Sequence, residues 1–369
     1  MNPSKIALSA LALALSPAAC PALAQQAPAR AREMVAPDAL KALVNAPDPA
    51  KQERAPEKAK APAPLEIDLA RKALVDGDFA RAFKIAEALA KRGDAAADHI
   101  LGYLYENGLG VRADIGAALR HYGEAAIKGD ANAQIALGAL AFAGDGVYAD
   151  YERAAGWFRL AAAQGDPRGE VRLGLLYAEG LGVQQNSVTA AHYFAKAASK
   201  GDADGEFWLG VAWMNGDGVP QSYPKAAVNF ANAAKQGHAE AAYHLSLIYD
   251  SPVLGAPDAA KAAGYMRAAA EGGYPPAYAA MGLLAHRGDA EGLAADWFEK
   301  GARAGDPQSA FLYAVALFEG DGRPKDIIGA LALADEIIAS DAPEPLKAQA
   351  ASLKKSIRAR TPGPLTLRN

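Results

Sequence analysis

The sequence predicts an all-α fold, a right-handed α/α superhelix (solenoid) of antiparallel helix pairs with about seven repeats and terminal capping helices. Three observations predict it: a recurring glycine, helical spacing of the residues after it, and a glycine-rich turn between two helical segments. The glycines lie 36 residues apart, at Gly93, Gly129, Gly165, Gly201, Gly237 and Gly273. A fixed period of this length is typical of stacked helix pairs.

The first helix of each unit is predicted from the fourth, eighth and ninth residues after the opening glycine. In the third unit these are Gly169, Leu173 and Gly174, which are small, large and small. Spacings of four and five residues place them on one helical face. Glycine inside a helix costs about 1 kcal/mol relative to alanine. Its recurrence therefore predicts a close approach of the helix backbone to the partner helix.

The second helix is predicted from a turn, a cap and an aromatic pair. Gly180 and Gly182 form a Gly-x-Gly turn, and glycine just past a helix end adopts the left-handed C-cap conformation. Asn186 is then placed to cap the next helix, because its side chain accepts hydrogen bonds from unpaired amides. Tyr193 and Phe194 are the aromatic pair of this unit, and paired alanines follow them one turn later. A bulky layer is therefore predicted to pack beside a small one.

This pattern resembles the Sel-one-like repeat, a branch of the tetratricopeptide-repeat superfamily, over about residues 93–340. The resemblance is carried by LGYLYENGLGV (101–111), AAGWFRLAAAQGD (154–166), LGLLYAEGLGV (173–183) and AAHYFAKAASKGD (190–202). It implies a solenoid whose first helices line the concave side. It also implies a class that includes periplasmic regulators of membrane sensor kinases and envelope adaptors for polysaccharide export, flagella or secretion.

The first 24 residues have the pattern of a secretory signal peptide. Lys5 is their only charge, 6–15 is apolar, and Ala22-Leu23-Ala24 has the small-x-small cleavage form. The apolar run is too short to span a bilayer, and no later run reaches 18 apolar residues. The predicted location is periplasmic or secreted, in a bacterial envelope, with no transmembrane span.

Cys20 is the only cysteine, and it lies inside the predicted signal peptide. It is either removed with the signal or lipidated as a membrane anchor. Pro17 stands where lipoprotein signals usually have leucine, which favours removal. The mature chain would then contain no disulfide, so helix packing must supply its stability.

The rest of the chain divides by composition and periodicity. The predicted segments are a Pro/Ala-rich disordered tether (25–64), an N-terminal capping helix pair (65–92), the repeat solenoid (93–342), a C-terminal capping helix (343–360) and a disordered tail (361–369). The C-terminal helix has an apolar stripe at Leu346, Ala350, Leu353 and Ile357 on an otherwise basic surface. Capping the stack is one interpretation of this helix, and contact with an anionic membrane is the alternative.

No motif for catalysis or cofactor binding stands out. None of the six histidines is paired at i+3 or i+4, no Lys-Ser/Thr follows the glycine turns, and no Gly-x-Ser-x-Gly elbow occurs. The 38 basic and 42 acidic residues give no basic field for nucleic acid. The sequence therefore predicts no cofactor, no metal and no enzyme activity, with an envelope hydrolase as a minor alternative.

The candidate binding residues lie at positions three, seven and fourteen after the opening glycine, which fall on one stripe of the first helices. They are Arg168, Arg172, Glu179, Trp208, Asn215 and His244. Trp and Arg are the residues most enriched in interface hot spots. The alternative is that these side chains are solvated or packed between neighbouring helices.

The resulting functional hypothesis is a non-enzymatic scaffold that holds another envelope protein, as an extended segment, on its concave face. The alternative is a protein that binds cell-wall glycan or polysaccharide through the aromatic and polar groove.

Overall fold

The structure is a computed structural model that describes residues 64–144, 149–288 and 291–361. Within these ranges it contains seventeen α-helices and no β-strand. The predicted signal peptide with Cys20, nearly all of the predicted tether and most of the predicted tail lie outside the described residues. None of the described helices is long and apolar enough to cross a bilayer.

An N-terminal helix pair is followed by seven further pairs and a last helix. The N-terminal pair is α1 (Pro64–Val75) and α2 (Phe79–Ala90). The next pairs are α3 (Ala95–Asn107) with α4 (Ile115–Ile127), α5 (Ala131–Ala143) with α6 (Tyr151–Ala163), α7 (Pro167–Glu179) with α8 (Ser187–Ser199), and α9 (Ala203–Asn215) with α10 (Tyr223–Lys235). They are followed by α11 (Ala239–Asp250) with α12 (Ala259–Glu271), α13 (Pro275–Arg287) with α14 (Glu291–Arg303), α15 (Pro307–Glu319) with α16 (Ile327–Ala339), and α17 (Glu344–Arg360).

The described residues form two compact units, 64–226 and 227–361, and the boundary between them falls within α10. In each unit, helices that are consecutive in the chain pack on one another. Each hairpin therefore shelters the apolar side of the next, as in a repeat stack. The prediction of an all-α solenoid of helix pairs is confirmed.

Side-chain caps begin most of the helices, although Tyr274 at the start of α13 makes no such hydrogen bond. Asn186 accepts a hydrogen bond from the Thr189 amide at the start of α8, as predicted. The first helices have caps that sequence-based reasoning missed, although a Gly-Asp dipeptide marks most of them. At α9, for example, Asp202 accepts from the Gly205 amide at 2.8 Å. Hydrogen bonds between residues close in sequence therefore set where the first and second helices of a hairpin begin.

The glycine at the ninth position makes room for an aromatic ring. A Cβ on Gly174 would lie 2.6 Å from the Phe194 ring, and the same relation joins Gly138 to Phe158. At the ninth position the close approach to the partner helix is therefore to an aromatic side chain. The backbone approach occurs at the fourth position, where a Cβ on Gly169 would lie 2.8 Å from the Ala162 nitrogen.

The glycines of the Gly-x-Gly turn have two different roles. Gly180 takes the predicted left-handed C-cap conformation, with φ of 71°. The second glycine, as at Gly218, combines φ of 73° with close packing against the first turn of the preceding repeat's second helix. A Cβ there would overlap the Ser187 carbonyl. Besides ending a helix, the turn therefore joins two repeats.

A polar pair joins the start of each first helix to the end of its own second helix in the first three repeats. The pairs are Asp98 with Lys128 at 2.7 Å, Gln134 with Gln164 at 2.8 Å, and Glu170 with Lys200 at 2.7 Å. Glu170 is only 2% exposed, so its carboxylate depends on this contact for compensation of burial. The second repeat makes the same contact between two uncharged side chains, Gln134 and Gln164.

We expect Lys200→Gln to lower the free energy of unfolding by about 2 kcal/mol, because it removes the ammonium group from a buried carboxylate. The double variant Glu170→Gln/Lys200→Gln should lie within about 1 kcal/mol of the wild type, because it recreates the neutral pair of the second repeat. Urea unfolding followed by circular dichroism measures both. A double variant less stable than the single one would contradict this account.

The C-terminal helix closes the 227–361 unit. Leu346 and Ala350 lie in a buried cluster with residues of α15 and α16, and Ile357 lies in another. Lys354 pairs with Asp335, and the Arg360 guanidinium donates to Glu319 at 3.0 Å. Because most of the apolar stripe is covered by protein, the structure favours the capping interpretation, and a membrane contact would have to use the basic side of α17.

Candidate partner-binding face

The first helices of the 64–226 unit present one stripe of residues at positions three, seven, ten and fourteen, spaced so that they share a helical face. We call this stripe the first-helix face. It comprises Ala96, Ile100, Tyr103 and Asn107 on α3; Asn132, Ala136, Ala139 and Ala143 on α5; Arg168, Arg172, Leu175 and Glu179 on α7; and Asp204, Trp208, Val211 and Asn215 on α9.

Position three shows that neighbouring first helices are within side-chain reach of each other. The Arg168 guanidinium donates to the Asn132 side-chain oxygen at 2.7 Å, although the two residues are 36 positions apart in sequence. It also holds Asp166, the cap of α7, at 2.6 Å. Burial would raise the pKa of Asp166, but the hydrogen bonds and charge of Arg168 outweigh it and lower that pKa. Arg168 is therefore exposed but already engaged within the protein.

Arg172 and Glu179 are exposed and unpaired. Among the Lys, Arg, Asp and Glu side chains of α3, α5, α7 and α9, all of them described, these two alone have no hydrogen bond or ion pair. They lie two turns apart on α7, and half-buried Leu175 lies between them. Their positions leave both charges available to a partner.

Position seven is mainly a packing position between repeats. Trp208 is half-buried, and its ring stacks on Phe194 of the preceding repeat, with centroids 6.1 Å apart. Ile100 is buried at the same position, and in the other unit Leu312 lies in a buried cluster with Phe298. The variation at position seven therefore reflects the volume to be filled, and Arg172 is an exposed exception.

His244, in the 227–361 unit, is buried and does not belong to an exposed surface. It is 3% exposed, and its ring stacks on Phe230 with centroids 5.3 Å apart. Burial, together with the nearby charge of His238, lowers the pKa of His244 to about 4. The expectation of an exposed histidine is thus corrected, since the side chain fills the packing position that Trp208 occupies in the previous repeat.

The remaining residues of the face are small, apolar or polar. Asn215 is exposed and donates to the Asp217 carboxylate at 3.1 Å. Tyr103, at 43%, is the most exposed aromatic side chain in the described part of the chain. Sequence reasoning missed position ten, which carries Tyr103, Leu175 and Val211. The signal was available, because three residues after position seven lies on the same helical face.

The first-helix face offers one unpaired cation (Arg172), one unpaired anion (Glu179) and apolar side chains. In residues 64–144, 149–288 and 291–361 there is no group of three or more His, Cys, Asp or Glu side chains that could hold a metal ion.

The chain is similar to known repeat proteins. The Sel1 repeat family model matches residues 95–130, 131–166, 167–202, 203–238, 239–274, 275–306 and 307–335. A Sel1 repeat protein from Oxalobacter formigenes is 26% identical with a TM-score of 0.59, covering 85% of this chain and 90% of that one. A protective antigen of uropathogenic Escherichia coli that displays an SLR fold is 23% identical with a TM-score of 0.50, covering 83% and 89%. No curated protein matches the chain.

Proposed function

Because the chain belongs to the Sel1 repeat family, whose members are generally non-enzymatic protein-interaction scaffolds, we propose that it is a periplasmic or secreted adaptor that holds an extended protein segment on its first-helix face. The pattern of residues 1–24 supports the location, since it matches a signal peptide. The partner would then be another protein of the cell envelope.

One observation carries the proposal: the unpaired Arg172 and Glu179 on α7, with the half-buried Trp208 at the position on α9 that corresponds to Arg172. The other charged side chains on these first helices have partners within the protein, as is expected of a surface that has only a structural role. Two opposite charges without partners, on the same face as an indole, resemble the mixture of charge and aromatic anchors found in protein interfaces.

The spacing of the two charges describes the partner. Seven residues along α7 correspond to about 10 Å at 1.5 Å per residue. The bound segment should therefore carry an acidic side chain opposite Arg172 and a basic one about 10 Å away, opposite Glu179. An apolar side chain between them would lie over Leu175. Matching charges of this kind give orientation and specificity.

Glycan binding has less support from the same surface. Sugar rings stack on flat, exposed aromatic faces, whereas the described rings largely pack on one another. Tyr177 and Tyr193, for example, stack with centroids 5.9 Å apart. The exposed ring of Tyr103 stands on α3, apart from the charged pair. A protein segment is therefore the proposal that the geometry favours.

We expect Arg172→Ala/Trp208→Ala to reduce capture of the partner by about 30-fold or more, because two hot-spot side chains together contribute over 2 kcal/mol. The measurement is cross-linked capture from a periplasmic extract by the tagged chain, quantified by mass spectrometry. Arg159→Ala/Val188→Ala is the matched control, since both residues are exposed on second helices.

Arg172→Glu and Glu179→Lys provide a second pair of variants that change only exposed side chains. Each should weaken capture while the circular dichroism signal at 222 nm stays at the wild-type value. Full capture by the Arg172→Ala/Trp208→Ala variant, with helicity retained, would contradict the proposed site.

A further inference from the structure

We propose that the partner segment bound on the first-helix face adopts the polyproline II conformation and carries the motif acidic-x-x-basic, with proline within or beside it. The acidic side chain lies at Arg172, the basic one at Glu179, and a residue between them contacts Leu175. This inference names the kind of segment that fits the face to which we assign partner binding, and it rests on the proposed function.

The separation of the two unpaired charges selects a conformation for the bound segment. Arg172 and Glu179 are seven residues apart on α7, which corresponds to about 10 Å along the helix axis. In polyproline II, residues three apart project from the same edge and are about 9 Å apart. In a β-strand, residues three apart project to opposite sides, and those on one side are about 7 Å or about 13 Å apart. Polyproline II therefore brings both charges of the segment to α7 at once.

The backbone of the bound segment also favours this conformation. The described ranges of the chain contain helices and no β-strand, so they offer no strand edge to which a further strand could pair. The amides and carbonyls inside an α-helix are already paired with each other. A strand laid on α7 would therefore bury backbone groups without partners. Polyproline II keeps its backbone solvated, and each proline removes an amide that would need a partner.

A helical segment fits the face less well, although residues seven apart on a second helix would match the spacing of the two charges. Helices bind to protein surfaces through rows of apolar anchors in a hydrophobic groove. On α7 the only apolar side chain of the face is the half-buried Leu175. The preceding first helix, α5, presents Ala136, Ala139 and Ala143, which offer little apolar area.

Trp208 supplies contacts beyond the two ion pairs. It lies on α9, which contacts α7, at the position that corresponds to Arg172. Its ring stacks on Phe194, but its indole N–H donates no hydrogen bond within the described part of the chain. Aromatic side chains bind proline-rich segments, and the solvated carbonyls of polyproline II can accept from such a donor. Because exposed ion pairs contribute little affinity, we expect Trp208 and Leu175 to supply most of it and the charges to fix the register.

Selection from a peptide library tests the inference. A random 12-residue library displayed in several copies on phage is selected on the immobilised full chain, and the matched control target is Arg172→Ala/Glu179→Ala. On the wild type we expect acidic-x-x-basic to be enriched about ten-fold over acidic-x-basic and acidic-x-x-x-basic, with proline within or beside the motif. On the control target the preference for this spacing should disappear.

Three peptides of identical composition make the comparison quantitative. Pro-Asp-Pro-Leu-Lys-Pro has the expected spacing of the charges, whereas Pro-Pro-Asp-Leu-Lys-Pro is one residue shorter and Pro-Asp-Pro-Leu-Pro-Lys one residue longer between them. Titration followed by nuclear magnetic resonance of the indole N–H signals measures each dissociation constant, and Trp208→Phe assigns the signal of Trp208. We expect the first peptide to bind about five-fold more tightly than the others and to shift the Trp208 signal.

Several results would overturn this inference. They are equal enrichment of the three spacings, selected peptides whose charges lie seven residues apart as in a helix, and the absence of any peptide whose binding depends on Arg172 and Glu179. If capture of an envelope protein still requires Arg172 and Trp208 in any of these cases, the proposed function stands and only the conformation and motif of the segment are rejected. If capture is also unaffected by Arg172→Ala/Trp208→Ala, the proposed site falls as well.

Discussion

Gly218→Ala is expected to lower the free energy of unfolding of the 64–226 unit by about 2–5 kcal/mol. Two effects add at this position. An L-residue at φ of 73° costs about 1–2 kcal/mol relative to glycine. The new methyl group would overlap the Ser187 carbonyl, and relieving an overlap in well-packed structure costs about 1–3 kcal/mol more. The neighbour is backbone at the start of α8, so it cannot rotate away.

Gly201→Ala is the control that separates these effects. Its φ is 77°, but a Cβ there would have no heavy atom within 4 Å. Gly201→Ala should therefore lower the free energy of unfolding only by the cost of placing an L-residue in this backbone conformation, about 1–2 kcal/mol. Urea midpoints for the wild type and both variants, followed by circular dichroism, measure the difference. Equal losses in the two variants would show that the second glycine of the turn is needed only for its backbone conformation.

Acidification is expected to destabilise the 227–361 unit through His244, by about 3 kcal/mol between pH 7 and pH 4. Burial holds the pKa of His244 at about 4, below the ordinary 6.5 of the unfolded chain. Between these values the unfolded state binds more protons than the folded state, so stability falls as the pH decreases. The contribution is fully present above pH 6.5 and is lost as the pH approaches 4.

His244→Phe should remove this part of the pH dependence while keeping a ring against Phe230. The readout is the difference between the wild-type and variant urea midpoints at several pH values, because carboxylates shared by both proteins cancel in that difference. His238→Asp gives a second check, since it replaces a positive neighbour by a negative one and should raise the pKa of His244. A wild-type curve parallel to that of His244→Phe would contradict the account.

Much of the first-helix face could be predicted from the sequence, but not which of its side chains are exposed and unpaired. Helical spacing places Arg172, Trp208 and Glu179 on one stripe. It does not indicate that Trp208 packs on Phe194, because that contact joins different repeats and depends on the volume left between them. His244 illustrates the same limit, since a polar residue at a variable position indicates a surface until the neighbouring rings are placed.

The sequence by itself determined the repeat, the glycine turn that ends each first helix, the caps of the second helices and the absence of familiar catalytic motifs. These features depend on local chemistry: the conformational freedom of glycine, the hydrogen bonds of capping side chains and the period of the α-helix. Only the tertiary structure decided what each glycine adjoins, which polar side chains pair between helices, and that Arg172 and Glu179 remain without partners. Such contacts join residues far apart in the chain, and they follow from the packing of whole helices, which the local pattern does not contain.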